Sequence, residues 1–262
     1  MCRWLQGRED ADVTEKPTSL DPERLRVFPS KRSVGLLNEK AVVNALRTQA
    51  VSDRKQFIAR GVRGSAKWIK EATLWLQTSL AVVPPTVRKA TSGGDAIIAV
   101  GAQAIHAARA AASNATSVVS VDVSSIGVGT DPWKGYHSTY NRPVIGEKVA
   151  VIIDTWAKTQ SSHQRVRFIG IGPDAPLVVF AAALIGNQLT GDVQADFLLE
   201  DTSSDAYWDG ERFAPGLRAI GDVHVAAMLL RDSGVTLYGI RDAKQWIGCE
   251  RVISQSTLQS AS

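Results

Sequence analysis

From Asp95 onward, short apolar runs alternate with longer helical stretches, and this alternation constrains the fold more than any other feature of the sequence. The runs are almost continuously apolar, as expected for strands that are buried on both faces. They span Asp95–Gly101, Ser117–Val123, Val166–Ile171, Ala195–Glu200 and Val235–Ile240. The helical stretches between them span Ala102–Ser113, Val144–Thr159, Ala175–Leu189 and Asp222–Asp232. This pattern predicts an α/β fold with a mostly parallel sheet and helices on both faces.

The residues before Asp95 divide into two regions. Residues 1–33 are polar, charged and contain prolines, which predicts a linker or arm. Residues 34–93 show apolar residues at helical spacing, with a break near Gly61–Gly64 and an end at Pro84-Pro85. We therefore expect two helices in 34–93 that pack on an α/β domain spanning 94–262.

Composition excludes several classes of function. The chain has 262 residues and 44% apolar content, enough for one large α/β domain but not for two catalytic domains. Its net charge of +4 is dispersed, which argues against nucleic-acid binding, and no apolar stretch is long enough to span a membrane. Cys2 and Cys249 stand far apart without a Cys/His cluster, so neither a metal nor another cofactor is predicted.

The first residues contain no apolar segment of the kind that secretory signal peptides carry. As it stands, the sequence predicts a cytoplasmic location. A piece of a longer secreted protein would instead be exported by a signal upstream of it.

The passage from Gly170 to Pro176, which follows a predicted strand, has three interpretations. As a nucleophile elbow of the G-x-S-x-G type, it would place Gly172 where the serine belongs, so the turn could persist without its chemistry. As a dinucleotide fingerprint, Gly170, Gly172 and Ala175 satisfy G-x-G-x-x-A, with Glu200 or Asp201 as the acid for the ribose. As a purely structural turn, the glycines permit close packing of helix on strand.

A serine hydrolase also needs a base, and the sequence contains four histidines. None follows the last predicted strand, where the histidine of an α/β hydrolase normally lies. His224 stands in an apolar run that suggests a packed helix position. The remaining candidates for a rearranged catalytic set are Ser125 as nucleophile, His137 as base and Asp131 as acid.

The loops after the predicted strands carry acidic and aromatic side chains. The acids have no spacing typical of a metal loop, so solvation is the simpler interpretation. The rings would either stack on sugars or cap the core, and the sequence does not separate these roles. The acids are Glu200, Asp201, Asp205 and Asp209, and the rings are Trp133, Tyr136, Tyr140, Tyr207 and Trp208.

The order of motifs resembles that of bacterial acetyl xylan esterase-type proteins with tandem α/β-hydrolase-like modules. Tyr136–Val149 resembles their YNRPLLGERV stretch, and Val166–Leu184 resembles VHLVGxGxAGPxALLARAL. Phe213–Leu217 resembles their LPGAL loop, and Leu237–Gly239 falls where the last strand often reads LLLHN. Near the start, Arg3-Trp4-Leu5 resembles a closing helix of the first module, and Ser19–Phe28 resembles the linker LTPEELRVF.

The resemblance implies a degenerate C-terminal module of the α/β-hydrolase type. In that family the working nucleophile belongs to the upstream module, whereas this sequence has Gly172 in the turn and Gly239-Ile240 in place of His-Asn. We therefore expect a non-catalytic accessory module whose partner is an upstream esterase module or a second copy, with polysaccharide contact. The alternatives are a carboxylic ester hydrolase that acts on acetylated carbohydrate, and a nucleotide-binding domain.

Overall fold

The structure is a computed structural model that describes residues 39–127, 142–241, 243–249 and 251–254. The predicted arm, 1–33, lies outside these residues, as do His137 and Asp131. The chain divides into two compact units, Met1–Arg47 and Thr48–Ser262. The sheet and the candidate site belong to the second unit.

Five parallel strands form one sheet in the order β2-β1-β3-β4-β5. This is one of the common orders of doubly wound sheets, and it places the switch point between β1 and β3. The predicted α/β class is therefore confirmed. The strands are β1 (Asp95–Val100), β2 (Thr116–Val121), β3 (Arg165–Ile171), β4 (Val193–Asp196) and β5 (Val235–Tyr238).

The helices precede and separate the strands, as the sequence pattern predicts. Short 3-10 turns at Gly172–Asp174, Asp205–Trp208 and Gly210–Arg212 complete the carboxyl edge of the sheet, and further 3-10 turns span Gly186–Gln188 and Ala243–Gln245. None of the described helices is long and apolar enough to span a bilayer. The helices are α1 (Glu39–Val62), α2 (Ala66–Leu80), α3 (Ala102–Ala111), α4 (Val144–Gln160), α5 (Ala175–Ile185), α6 (Leu217–Ile220) and α7 (Asp222–Leu229).

Alternate residues of β1 point into two separate apolar cores, because successive side chains of a strand face opposite sides of the sheet. Ile97 and Ala99 pack with Ala104 and Ala108 of α3. Ile98 packs on the other side, in the larger core that α2, α4, α5 and α7 build. Both faces of the sheet are therefore covered at β1, which explains why the sequence of this strand is continuously apolar. The edge strand β2 is only partly covered.

The predicted helical region before the sheet forms two helices that break at the expected place. Ser65 caps α2 by accepting a hydrogen bond from the backbone N–H of Trp68, at 3.2 Å. The indole N–H of Trp68 donates to the Phe57 carbonyl at 2.9 Å, and Trp68 is buried. This bond joins the end of α1 to the start of α2, and both rings belong to the main core.

One predicted strand is misplaced by the sequence pattern. We expected Ala195–Glu200, but β4 starts at Val193 and ends at Asp196. The Asp196 carboxylate accepts a hydrogen bond from the Leu198 N–H at 3.0 Å, and Leu198 and Leu199 both have positive φ. A side chain that binds the backbone two residues later favours a turn over further extension. The acids that follow therefore lie in a loop.

Candidate functional site

The carboxyl ends of β1 and β3 meet at the switch point of the sheet, where open α/β proteins bind their ligands. Gly101 follows β1, and Gly172 follows β3. Both glycines have positive φ, at +82° and +63°. Two sharp turns thus lie side by side at the place where a ligand is expected.

The turn after β3 is tightly packed against the helix that follows it. A β-carbon on Gly170 would lie 2.7 Å from Cγ2 of Val178 and 2.9 Å from the Asp174 carbonyl oxygen. Real β-carbons do not approach this closely, so only glycine fits at position 170. The predicted close packing of helix on strand is therefore present, and it is compatible with both the elbow and the structural interpretation.

Position 172 has the backbone of a sharp strand-to-helix turn but no reactive side chain. Ile171 is extended, Gly172 turns the chain with φ of +63°, and a 3-10 turn leads into α5 at Ala175. A β-carbon on Gly172 would lie 3.2 Å from Leu198 Cδ1, so a small side chain has room after a slight shift of that leucine. Under the elbow interpretation, Gly172 would stand at the nucleophile position without a reactive side chain.

Pro173 changes the same turn in a second way. In an elbow-type hydrolase, the backbone N–H of the residue after the nucleophile helps to stabilise the oxyanion of the transition state. Proline has no backbone N–H. Under the elbow interpretation, the turn would therefore lack both the nucleophile and one of the two customary oxyanion donors.

The Asp174 carboxylate occupies the space between the two turns. Its Oδ2 lies against the α-carbon of Gly101, where any β-carbon would collide with it. The side chain of Asp174 has no hydrogen bond or ion pair with the residues that the structure describes. Burial raises the pKa of Asp174; Lys148 and Arg212 oppose this shift, and Asp122 adds to it. The crevice thus contains an unpartnered, half-buried carboxylate.

A pocket of about 290 Å³ opens beside Asp174. Its apolar wall includes Ile145 and Leu177, which are both buried. Ligand pockets typically combine such apolar walls with a few polar groups, although this one is at the small end of the usual size range. The polar lining residues are Lys148, Asp174, Tyr207, Asp209, Glu211 and Arg212.

Two cations line the pocket, Lys148 and Arg212, and each is already engaged with the protein. The ammonium group of Lys148 forms an ion pair with Glu211 at 2.8 Å. The guanidinium of Arg212 lies 4.2 Å from the centre of the Tyr207 ring and donates to the Tyr207 carbonyl at 3.2 Å. It also approaches Glu200 at 3.8 Å. These contacts orient donors towards the pocket while balancing most of its charge.

Two of the loop aromatics act as parts of the core. Tyr207 is 8% exposed and Trp208 is 3% exposed, and their rings pack edge to face with centres 5.0 Å apart. Trp208 also donates its indole N–H to the Thr202 carbonyl at 2.8 Å. For these two residues, capping of the core explains the rings better than sugar stacking does. Trp133, Tyr136 and Tyr140 lie outside the described residues.

The structure gives little support to the dinucleotide interpretation of the Gly170, Gly172 and Ala175 pattern. A phosphate at a helix N-terminus needs free backbone N–H groups, and Pro173 and Pro176 remove two of them from this turn. The carboxylate of Asp174 would also repel a phosphate at this position. No feature of the described residues favours this hypothesis over the structural one.

The candidates for a rearranged catalytic set are only partly visible. Ser125 is exposed in the turn after β2, while its proposed partners His137 and Asp131 lie outside the described residues. His224 is buried, as expected from its apolar neighbours, and its Nε2 lies 3.0 Å from the Ile247 carbonyl. Among described residues, the one serine–histidine contact joins Ser162 to His163 at 3.0 Å, just before β3 and thus at the opposite edge of the sheet.

Gly239 stands where the resemblance would have a histidine after the last strand, and its surroundings are closed. A β-carbon at 239 would lie 2.5 Å from Asp196 Oδ1 and 2.7 Å from the Leu198 backbone nitrogen. Gly239 also has φ of +62°. A histidine at this position would require the loop after β4 to move.

Two acidic side chains of the loop after β4, Asp201 and Asp205, have partners within the protein. Asp201 accepts from the Ser203 hydroxyl at 2.5 Å, and Asp205 pairs with Arg218 at 2.9 Å. The part of the chain that the structure describes contains no group of three or more acids, histidines and cysteines that could hold a metal ion. These contacts favour a structural role for the acids.

Sequence reasoning missed Asp174 as a site residue. It stands at the first turn of a helix, directly after a strand end, and that combination was the one available signal. Lys148 and Arg212 carried no signal, because they come from distant segments that only the fold brings together. Comparisons with protein-family models, with curated proteins and with solved structures find no match to this chain.

Proposed function

We propose that this chain is a non-catalytic accessory module with an α/β-hydrolase-like architecture, belonging to a protein of the acetyl xylan esterase type. The observation that supports the proposal is the sharp turn after β3, which contains Gly172 and Pro173. If this turn is compared with a nucleophile elbow, the two residues stand where a nucleophile and an oxyanion donor would be needed, and neither can supply the required group.

Without a nucleophile and an oxyanion donor, we expect this turn to have no useful esterase activity. Removal of the nucleophile or the base of a hydrolytic triad lowers kcat by roughly a million-fold. Removal of a single oxyanion donor costs a further factor of about 100 to 1,000. An ester bound at this crevice would also face the carboxylate of Asp174, which disfavours the negative charge of the transition state.

The absence of a base at the last strand has its own structural cause. Gly239 packs directly on Asp196 and on the backbone of Leu198, so a histidine could not be restored there by a single substitution. In the proposed comparison, the nucleophile and base positions therefore lack a reactive side chain for different reasons. Position 172 has room for a small side chain but holds glycine, and position 239 is sterically closed.

An accessory role requires a partner. The proposed partner is the upstream esterase module of the resembled family, or a second copy of this chain, with polysaccharide as the shared substrate. In this role the module contributes a surface or a binding pocket, and the chemistry belongs to the partner.

The proposal is tested by turnover measurements on purified protein with p-nitrophenyl acetate and acetylated xylan. We expect rates no higher than those of a heat-unfolded sample of the same protein. Ser125→Ala serves as the matched variant, because Ser125 is the exposed alternative nucleophile. A rate well above the unfolded control that Ser125→Ala abolishes would replace the proposal with a rearranged hydrolase.

A further inference from the structure

We propose that the pocket formed by Lys148, Asp174, Tyr207 and Arg212 binds a small, neutral, polyhydroxylated molecule of about monosaccharide size without transforming it. This inference rests on the proposed non-catalytic function and specifies what the site does instead of catalysis.

Anionic ligands fit the pocket poorly. Its lining contains three carboxylates, from Asp174, Asp209 and Glu211, against two cations. Both cations are already engaged, Lys148 with Glu211 and Arg212 with the Tyr207 carbonyl. A bound phosphate or carboxylate would have to break these contacts and would still lie beside the unpartnered Asp174. Desolvating two like charges at short range is costly.

Cationic ligands gain little in the pocket, because Lys148 and Arg212 already offset two of its three carboxylates. The charges of Lys148 and Arg212 also oppose the effect of burial on the pKa of Asp174. An ammonium ligand would therefore find only one carboxylate charge of the lining left to neutralise.

Hydroxyl groups suit both the acceptor and the donors of the pocket. A hydroxyl both donates and accepts, so adjacent hydroxyls of one ligand can donate to Asp174 and accept from the remaining N–H groups of Lys148 or Arg212. Hydrogen bonds that involve an ionised partner are the stronger kind, and one polyol can form several of them at once. The volume of about 290 Å³ admits one sugar ring, and Ile145 and Leu177 provide an apolar wall for its carbon-bound hydrogens.

Asp174 offers a free acceptor to the pocket. It stands at a helix start with no hydrogen bond from its side chain to the described residues, and Gly101 leaves room for it. The side chain is only half-buried, and a ligand hydroxyl can take the place of the solvent that reaches it.

The experiment titrates methyl β-D-glucopyranoside into the isotopically labelled protein and follows backbone amide shifts by NMR. The comparison probes are cyclohexylmethanol, inorganic phosphate and methylammonium, which test the ring, the anion and the cation separately. Asp174→Asn keeps the size of the side chain but removes its charge. Asp154→Asn makes the same change at an exposed position of α4 and serves as the control.

We expect saturable, millimolar binding of the glycoside with shifts centred on Leu177 and Arg212, and weaker or absent binding of the three comparison probes. Asp174→Asn should weaken binding about tenfold, since it removes a charged acceptor. Asp154→Asn should leave it unchanged. Tighter binding of phosphate or methylammonium, absence of saturable glycoside shifts, or equal affinity of Asp174→Asn and wild type would each overturn the proposal.

The glycoside titration and the esterase assay test two different claims. The methyl glycoside contains no ester, so its binding reports on the pocket alone. Normal glycoside binding together with esterase turnover would reject the non-catalytic role and leave the pocket assignment standing. Absent binding together with absent turnover would reject the pocket assignment and leave the non-catalytic role standing.

Discussion

The carboxylate of Asp174 lies directly against the α-carbon of Gly101, across the gap between the carboxyl ends of β1 and β3. Gly101 has φ of +82° and no side chain, and both properties are needed for Asp174 to occupy this space. The turn after one strand thus positions an acidic group from the turn after its neighbour. This pairing of an acid with a glycine fills the crevice that a hydrolase would keep for the reacting ester.

Asp174→Asn should raise stability at neutral pH. Burial raises the pKa of Asp174 above its ordinary value of 3.8, so the folded protein binds the proton more tightly than the unfolded chain does. The contribution of Asp174 to stability is therefore fully present below the unfolded-state pKa and is lost as the pH rises through the folded-state pKa. We expect the variant to be more stable by about 0.5–1 kcal/mol at neutral pH.

Urea unfolding across a pH series measures this effect, with Asp154→Asn as the exposed control. The advantage of Asp174→Asn should narrow as the pH falls towards the ordinary pKa of the group. A variant that is less stable than wild type at neutral pH would mean that the carboxylate has a stabilising partner, contrary to our account.

Gly239→Ala should destabilise the folded protein much more than Gly210→Ala, although the two glycines have similar φ. Gly239 has φ of +62°, and its β-carbon would overlap with Asp196 and Leu198, whereas Gly210 has φ of +63° with nothing within 4 Å. We expect a loss of about 3 kcal/mol for Gly239→Ala from clash and strain together, against about 1 kcal/mol for Gly210→Ala. Equal losses in thermal or urea unfolding would show that the site around position 239 can relax.

Asp222 joins two arginines at the start of α7, and its removal should be costly. Its side chain is 3% exposed and accepts from Arg54 at 2.8 Å and from Arg218 at 2.5 Å. Asp222→Ala would leave both guanidinium groups without their buried partner, at a cost of about 3 kcal/mol. Asp232→Ala removes an 87% exposed acid that lies 3.8 Å from Arg231, and should change stability by less than about 0.5 kcal/mol.

Chemical unfolding of the two variants decides this point. If Asp222→Ala lowered the free energy of unfolding as little as Asp232→Ala does, Arg54 and Arg218 would have to bind other partners or water in the variant.

Cys249 should make the protein sensitive to alkaline pH. Burial raises the pKa of its thiol from 9.0 to about 12, so the thiol stays neutral in the folded protein while it ionises in the unfolded chain. Stability from this group is fully present below the unfolded-state pKa and falls as the pH rises from there towards the folded-state pKa. Over this range the free energy of unfolding falls by up to about 1.4 kcal/mol per pH unit.

The measurement compares wild type with Cys249→Ala by urea unfolding at about pH 8 and about pH 10. Between the two pH values, the free energy of unfolding should fall by about 1 kcal/mol more for wild type than for Cys249→Ala. Parallel losses in both proteins would show that the thiol ionises equally well in the folded state.

The sheet could be predicted because strands that are buried on both faces have almost continuously apolar sequences. Strands β1 and β3 are covered on both faces, and their apolar runs identified them to within about one residue. Strand β4 was placed two residues too late, because the backbone contact of Asp196 that ends it depends on a side-chain conformation. The apolar residues Leu198 and Leu199 continue the run without continuing the strand.

The site could be predicted only as a backbone feature. Gly170 and Gly172 indicated a tight turn, because glycine permits a positive φ and a close approach of helix to strand. The pocket was not predictable, because Lys148, Asp174 and Arg212 come from three separate segments. Their proximity depends on how α4, α5 and the loop after β4 pack together, and local spacing does not encode that.

The most direct test of the central claim is the intact mass of the folded protein after incubation with a serine-reactive phosphonate. A hydrolase with a working nucleophile forms one covalent adduct, whereas a serine without a base and oxyanion donors reacts no faster than serine in an unfolded chain. The account predicts an unchanged mass, because Gly172 and Pro173 leave the turn without its nucleophile and one oxyanion donor. A single adduct at full occupancy that forms on the folded but not on the unfolded protein, and that maps to Ser125 or another serine, would contradict it.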